Sequence, residues 1–410
     1  MLYEHNSLME FSPIRGAIPA DPPSGPLSGV RVIEMAAIGP VPFCGMLLAD
    51  LGAEVLRVDR PPGSGDRSGA TSRVLSQAPE RYVMHRGRRS VAVDLKHPEG
   101  REVVLRLASQ ADALVEGFRP GVMEKLGIGP DACLERNARL VYGRMTGWGQ
   151  DGPLSATAGH DINYIALSGA LSNFARAGER PVPPVNLVGD MGGGGLFLAF
   201  GLVCGVLEAR GSGRGQVVDA AMIDGAAALT MILHSMLAQG RWHDRPGTNF
   251  SDTGSPFYEV YETLDGRYVA VGAIEAPFWR QLLEHLGIAE TELGDRDDPA
   301  NWPAMKDRLA AVFRTRTRDE WAQVFATTDS CVTPVLSLTE AHLHPHHQAR
   351  GTFVERGGIV QPAPGPRFSR TPPSNLRPPP APGQQATQAL ADWGFEERDI
   401  TRLRKTGVVT

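Results

Sequence analysis

An alternation of short apolar runs with helical patterns, beginning near Gly29, is the feature of this sequence that most restricts its fold. VRVIEMA predicts a strand, PVPFCGMLLADLGA has apolar residues at helical spacing, and EVLRVDRP predicts a second strand. Parallel neighbours in a sheet need a crossover connection of about a dozen or more residues, usually a helix, and this pattern supplies one. We therefore expect an α/β fold.

The same alternation continues to about residue 147. SVAVDLK (90–96), ALVEGF (113–118) and RLVYGRMTG (139–147) predict further strands, and PEGREVVLRLASQA predicts a helix between the first two. We predict a Rossmann-like large domain with a mostly parallel sheet, whose ligands bind at the carboxyl ends of the strands. GPVPFCG follows the first strand in place of GxGxxG, so a nicotinamide cofactor is not expected.

The length and the segment patterns together predict four parts. A chain of 410 residues exceeds what one hydrophobic core fills, so a second domain is expected. The turn LDGR joins two strand-like runs near residue 265, which predicts a hairpin in a smaller α+β domain. The predicted parts are a flexible leader (1–24), the large domain (25–225), linker helices with the small domain (226–340), and a proline-rich strap with a final helix that returns to the large domain (341–410).

The composition restricts the partners and the compartment. A net charge of -5 gives no sign of a nucleic-acid or anionic-membrane partner, so a bound anion must meet a local basic patch. The first 26 residues hold no apolar run long enough for a signal peptide or a membrane span, which makes a cytoplasmic protein the expectation. The four cysteines lie far apart without CxxC spacing, which argues against a disulfide framework or a zinc site.

The stretch AGHDINYIALSG places His160 and Asp161 side by side where an apolar helix is predicted to begin. Apolar residues recur at helical spacing from Ile162, so Asp161 falls on the cap or on the first turn. A helix cap beside an ordinary histidine is one interpretation. The other is catalytic, because free backbone N–H groups of a first turn can stabilise a developing enolate or thioester oxygen.

Two further carboxylates are candidates. Asp190 lies in NLVGDMGGGG, a predicted loop in which an aspartate either stabilises its own turn or serves a site. The four consecutive glycines of this loop allow another group to approach the backbone closely. Glu275 closes the apolar run YVAVGAIE, and a carboxylate that ends a strand is a stronger candidate than one on a helix face.

Basic side chains gather in HRGRRS (85–90) and recur at predicted strand ends. Each alone suits a solvated surface, but together they could face a phosphorylated ligand. The run HLHPHH (342–347) invites a metal interpretation. Its internal proline and the lack of nearby cysteine or carboxylate partners favour a packed loop instead, so no metal site is predicted.

Several of these segments, taken in order, resemble one family. GPLSGVRVIEMA, LADLGAEVLRVDRP, EGFRPGVMEKLG, AGHDINYIALSG and VGDMGGGG are similar to the family III CoA-transferases, also called the CaiB/BaiF family. GHDINY with the downstream glycine loop resembles the racemase branch, which interconverts (R)- and (S)-2-methylacyl-CoA thioesters through an enolate. The resemblance implies a role in fatty acid and lipid metabolism, and a homodimer of two interlocked chains.

The resemblance also implies a role for each candidate residue. His160 and Asp190 match the acid-base pair that flanks the substrate α-carbon, and Glu275 matches the glutamate that orients the histidine. Asp161 matches the nucleophile of the transferases, and in the racemases it provides hydrogen bonding near the thioester oxygen. The positions that match coenzyme A contacts are Arg60, Val93, Asp94, Leu95, Lys96, Gly117, Phe118, Arg119, Lys125, Gly159 and Tyr164.

The resemblance has one departure and leaves alternatives open. Lys125 stands where the racemase pattern has arginine, which puts a bidentate phosphate contact there in doubt. Neither a metal nor a separate cofactor is implied, because coenzyme A is part of the substrate. The alternatives are a CoA-transferase in which Asp161 forms an anhydride with the acyl group, and a catalytically silent CoA-binding protein.

Overall fold

The computed structural model describes residues 24–61, 78–373 and 377–410. Apart from Ser24, the predicted leader 1–24 lies outside these residues. So does a short part of the proline-rich strap, residues 374–376.

Six parallel strands form the main sheet, in the order β3-β2-β1-β4-β5-β6. This order reverses direction between β1 and β4, which creates the crevice where ligands of such folds bind. The predicted α/β class with a parallel sheet is confirmed. The strands are β1 Arg31–Met35, β2 Glu54–Asp59, β3 Arg89–Ala92, β4 Ala113–Glu116, β5 Val141–Thr146 and β6 Gln216–Ala221.

Helices cover both faces of this sheet, because its strands are apolar on both sides. Neighbouring residues of β1 point to opposite faces: Val32 joins a core with α1 and α6, while Ile33 joins a core with α2 and the C-terminal helices. The helices that follow these strands are α1 Pro40–Asp50, α2 Pro98–Ala108, α3 Val122–Lys125, α4 Pro130–Arg136, α5 Asp161–Leu167, α6 Phe197–Ser212, α7 Met222–Leu229 and α8 Met231–Ala238.

The segment predicted as a glycine-rich loop is helical, so that prediction is wrong. Leu187–Leu196 forms a π-helix that runs directly into α6. A β-carbon on Gly193 would lie 2.6 Å from the backbone nitrogen of Ala226 in α7, and one on Gly195 would lie 2.6 Å from the carbonyl oxygen of Pro40 in α1. The close approach predicted for the glycines is therefore present, and two neighbouring helices make it.

A second core lies in the region between residues 250 and 335. The antiparallel hairpin predicted at LDGR is confirmed, and a third strand pairs with it. Apolar residues of both the sheet and the following helices fill this core, including Trp279 and Phe313. The elements are β7 Glu259–Glu262, β8 Tyr268–Val271, β9 Val332–Pro334, α9 Ala276–Leu286, α10 Trp302–Phe313 and α11 Arg318–Phe325.

The C-terminal part returns to the large sheet. Val409 forms an isolated bridge with Val93, and Leu403 belongs to the core beneath β1–β3. HLHPHH forms the predicted loop only in part: residues 342–344 form a turn, whereas Pro345, His346 and His347 begin a short helix whose N-terminus His344 caps. The elements are α12 Leu338–Ala341, α13 Pro345–Arg350, β10 Phe353–Arg356, β11 Ile359–Pro362, α14 Ala386–Asp392 and α15 Glu397–Lys405.

One face of the segment Leu187–Ser212 is apolar and exposed. The segment has 26 residues and contains an 18-residue window with a mean hydropathy of 1.6, so it is long and apolar enough to cross a membrane by these two measures, which a core helix also satisfies. The opposite face packs on β5, where a β-carbon on Gly143 would lie 2.8 Å from Leu202. The exposed face carries the apolar side chains of Leu196, Phe197, Phe200, Val203 and Leu207.

Candidate active site

Asp161 joins two distant segments of the chain. It is the first residue of α5 and is 94% buried, since its relative exposure is 6%. Its Oδ2 accepts a hydrogen bond from the backbone N–H of Asp190 over 2.7 Å, while its buried Oδ1 has no partner among the described residues. Asp161 therefore does not cap α5; it anchors the π-helix instead.

Asp190 projects from the π-helix toward the start of α1. A β-carbon on Gly39, which has a φ of 69°, would lie 3.3 Å from Asp190 Oδ2, so glycine leaves room for this carboxylate. Asn186 donates a hydrogen bond of 3.1 Å to the same oxygen. Burial raises the pKa of Asp190, and the negative charge of Asp161 adds to the increase. A carboxyl group with a raised pKa is suited to proton transfer.

His160 is the N-cap residue of α5, with an extended backbone and an exposed side chain. Its backbone N–H donates to Asn163 Oδ1 over 3.0 Å, which fixes the direction in which the chain enters the helix. The imidazole lies close enough to Asp190 for its charge to lower the pKa of that carboxyl, against the effect of burial. The structure thus brings together three predicted site residues, His160, Asp161 and Asp190.

Tyr164 forms one wall of this cluster. Its ring packs edge-on against Trp148, with ring centroids 4.8 Å apart. β-Carbons on Gly147 and Gly159 would lie 2.1 and 2.7 Å from the Tyr164 ring, so both glycines are needed for its position. Burial raises the pKa of Tyr164, Asp190 raises it further, and the positive charge of Arg119 opposes this.

The predicted coenzyme A contacts lie at one edge of the large sheet. Arg60 follows β2, the segment Val93–Lys96 follows β3, and the turn Gly117–Arg119 follows β4 at the reversal of strand order. The carboxyl ends of parallel strands meet at this edge. Lys125 ends the short helix α3 after the same turn, and its side chain is exposed.

Glu275 lies apart from this cluster within the single chain. β8 ends at Val271, and Glu275 precedes α9 in the region of the second core, with an exposed side chain. Its charge acts on Arg296 and on Cys331. Within the described part of one chain, no hydrogen bond joins Glu275 to His160.

Sequence reasoning missed two residues beside the cluster, Tyr82 and Asn186, and a third, Glu116, at the end of β4. Burial raises the pKa of Tyr82, and the charge of Asp190 adds to the increase, which places the phenol within electrostatic range of that carboxylate. Asn186 holds Asp190, and Glu116 ends β4 below the turn Gly117–Arg119. A carboxylate at the end of the apolar run ALVE could have been noticed by the reasoning applied to Glu275. No local sequence pattern identifies Tyr82 or Asn186 as residues of the site.

Within residues 24–61, 78–373 and 377–410, no three His, Cys, Asp or Glu side chains lie together in a way that could hold a metal ion. Ring contacts join three histidines of HLHPHH: His347 contacts His344, with ring centroids 5.8 Å apart, and also contacts His346 and Phe353.

Residues 27–386 match CoA-transferase family III. The chain belongs to this family. It is 45% identical to the α-methylacyl-CoA racemase of Mus musculus over 386 residues, which cover 93% of this chain and 97% of the relative. It is 42% identical to the α-methylacyl-CoA racemase of Homo sapiens, with the same coverage of both chains. The family predicted from the sequence motifs is confirmed.

The fold matches that of a solved family member. The crystal structure of a CaiB/BaiF family protein from Brucella suis superposes with a TM-score of 0.77, covering 90% of this chain and 100% of that one. At 24% sequence identity, this similarity supports the fold of the chain but no residue role.

Proposed function

We propose that this chain is an α-methylacyl-CoA racemase, an isomerase that interconverts (R)- and (S)-2-methylacyl-CoA thioesters. The observation that carries the proposal is the cluster of His160 and Asp190 around the buried Asp161, at the carboxyl edge of the sheet. Relatives of that name, at 42% to 45% identity over nearly the whole chain, support it.

The reaction needs two acid-base groups. Inversion at the carbon next to a thioester requires a proton to leave one face and another to arrive on the opposite face. His160 and Asp190 come from different segments, and Asp161, the chain neighbour of His160, holds the backbone of Asp190, so the two residues serve as this pair. Removal of the α-proton by one group leaves an enolate, and the other group in its acid form returns a proton to the opposite face. The reverse direction exchanges the two roles.

The enolate oxygen needs hydrogen-bond donors. The backbone N–H groups of Asp161 and Ile162, in the first turn of α5, form no hydrogen bond with other described residues. Donors already oriented toward a developing negative charge stabilise it without reorganisation, and each contributes on the order of 10²–10³ in rate. We assign the thioester oxygen to this turn.

Coenzyme A is part of the substrate in this proposal, and we propose no metal or further cofactor. The exposed basic side chains of Arg60, Lys96, Arg119 and Lys125 would meet its phosphates. Lys125 supplies a point charge only, so its contribution to affinity should be smaller than that of an arginine.

The second candidate is a CoA-transferase that uses Asp161 as nucleophile, because the matched family is described as CoA-transferase family III. Burial of Asp161 and its bond to the Asp190 N–H argue against attack by this carboxylate. Incubation of an (R)-2-methylacyl-CoA in deuterated water separates the two functions. Incorporation of α-deuterium with loss of optical purity supports the racemase. Its absence, together with CoA exchange onto a free acid, supports the transferase.

We also propose a cytoplasmic homodimer of two interlocked chains. The exposed apolar side chains of Leu196, Phe200, Val203 and Leu207 recur at helical spacing and form one stripe on Leu187–Ser212. Contiguous apolar surface of this kind marks an interaction site. A second copy of the chain would bury the stripe and could bring Glu275 of the smaller domain to His160.

A further inference from the structure

Glu116 is a buried carboxylate that the mechanism above does not use. It is the last residue of β4, at the reversal of strand order, and its relative exposure is 1%. Its Oε2 accepts a hydrogen bond of 2.7 Å from the backbone N–H of Phe118. This bond closes the turn Gly117–Arg119 back onto the strand. The turn cannot shift outward without breaking it.

The other oxygen of Glu116 connects the turn to a neighbouring helix. Arg144 of β5 donates from Nε to Glu116 Oε1 over 3.2 Å. The same guanidinium donates from Nη1 to Glu124 Oε1 over 2.7 Å and from Nη2 to Glu124 Oε2 over 3.3 Å. Glu124 lies in α3, directly before Lys125. Arg144 thus links the turn to the helix that carries Lys125.

The turn is also closely packed on the side that faces the start of α1. A β-carbon on Gly117 would lie 2.8 Å from Val41 Cγ2 and 3.3 Å from Ala37 Cβ. The turn is therefore held between the start of α1 and the Glu116 carboxylate. Its position depends on both contacts.

We propose that Glu116 is a positioning residue that sets the affinity for coenzyme A by holding the turn Gly117–Arg119 and, through Arg144, the helix that carries Lys125. It touches neither the acyl group nor the α-carbon. The inference rests on the proposed CoA-thioester function, and it adds a control of binding that is separate from the proton transfer.

The charge on Glu116 should be variable near neutral pH. Burial raises the pKa of Glu116 to about 7, even though the Phe118 N–H and Arg144 favour its charged form. The other titratable groups that interact with it are Glu124 and the phenol of Tyr142. Above pH 7 the carboxylate accepts both hydrogen bonds, whereas protonation removes the ion pair with Arg144. Affinity should therefore fall as the pH decreases through 7.

The test is the dissociation constant of free coenzyme A, measured by calorimetry at pH 6 and pH 8. Glu116→Gln keeps an acceptor oxygen but removes the charge. We expect it to weaken binding about tenfold at pH 8, the loss of one charge-assisted hydrogen bond. At pH 6 wild type and variant should bind alike. The comparison at each pH cancels the titration of the coenzyme A phosphates, which both proteins share.

The matched control is Asp50→Asn, which removes the charge from a buried carboxylate that pairs with a different arginine. Asp50 accepts bonds of 3.0 and 2.6 Å from Arg86 and lies far along α1 from the turn. We expect it to lower the melting temperature and leave coenzyme A binding unchanged. Arg144→Lys is the second test variant, because an ammonium group cannot bridge both carboxylates. It should weaken binding as Glu116→Gln does.

The outcomes separate this inference from the proposed function. Equal binding by wild type and Glu116→Gln at both pH values overturns the inference, as does equal weakening by Glu116→Gln and Asp50→Asn. Failure of the wild type to bind coenzyme A overturns it as well. If the wild type binds coenzyme A but does not exchange the α-proton, the racemase proposal fails and the role of Glu116 stands. At saturating substrate, Glu116→Gln should leave kcat unchanged and raise KM.

Discussion

Asp161 is an unusual helix-start carboxylate, because it bonds to a backbone N–H 29 residues away and not to its own helix. Replacement by alanine leaves that N–H without its partner, which costs about 1–3 kcal/mol. If the whole of this free energy is lost from the transition state because Asp190 is misplaced, kcat/KM for α-proton exchange should fall about 5- to 150-fold. Asp161→Asn keeps an acceptor oxygen and should lose less.

The same pair of variants distinguishes the two candidate functions. In a transferase the Asp161 carboxylate forms a covalent bond, so asparagine would abolish turnover as completely as alanine does. Deuterium incorporation and CoA exchange onto a free acid, both measured by mass spectrometry, give the two rates for each variant. Equal and complete loss in Asp161→Asn and Asp161→Ala would reject the anchoring role.

The pH dependence of the reaction offers a second prediction at the residue scale. Burial first, and then the charge of Asp161, raise the pKa of Asp190. Removal of that charge in Asp161→Asn should lower the pKa of Asp190. When Asp190 acts as the base, the reaction requires its ionised form, so the acid limb of kcat/KM should move to lower pH in the variant. An acid limb that stays in place would show that another group titrates there.

At the scale of elements, the π-helix Leu187–Leu196 depends on glycine for its contact with α7. A methyl group on Gly193 would lie 2.6 Å from a backbone nitrogen, which cannot rotate away. We expect Gly193→Ala to lower the free energy of unfolding by about 1–3 kcal/mol, as overpacking does. It should also reduce α-proton exchange, because the helix carries Asp190.

Gly211 provides the matched control for this substitution. It lies in α6, and a β-carbon there would meet nothing within 4 Å. Alanine is the better helix former by about 0.5–1 kcal/mol, so Gly211→Ala should keep or slightly raise stability. Urea unfolding of both variants measures the difference. Similar stability of Gly193→Ala and Gly211→Ala would refute the close-packing argument.

At the scale of the whole molecule, the exposed apolar stripe on Leu187–Ser212 determines the expected assembly. Phe200 and Leu207 are 68% and 73% exposed in the single chain. The double change Phe200→Glu and Leu207→Glu should convert a dimer to a monomer, because a charged group buried without a partner is strongly unfavourable. Analytical ultracentrifugation at micromolar concentration gives the state of each protein.

Leu338→Glu is the control for the assembly. Leu338 is 95% exposed and lies in α12, outside the stripe. It should leave the oligomeric state unchanged. A wild type that sediments as a monomer would refute the dimer proposal, and so would a double variant that remains a dimer.

The sequence by itself determined the sheet strands, the first helices and the family. Apolar period and flanking glycine or proline are local signals, and β1, α1, β2 and the start of α5 follow them closely. The motifs likewise indicated His160 and Asp190. These features could be predicted because neighbours in the chain decide them.

Only the tertiary structure decided what these residues contact. The pattern around Asp190 predicted a loop, but packing against α1 and α7 makes it a π-helix. The bond from the Asp190 N–H to Asp161, the nearness of Tyr82 and the Glu116–Arg144 pair all join segments more than 25 residues apart. The order of strands in the sheet brings such segments together, and that order cannot be predicted from a short window of sequence.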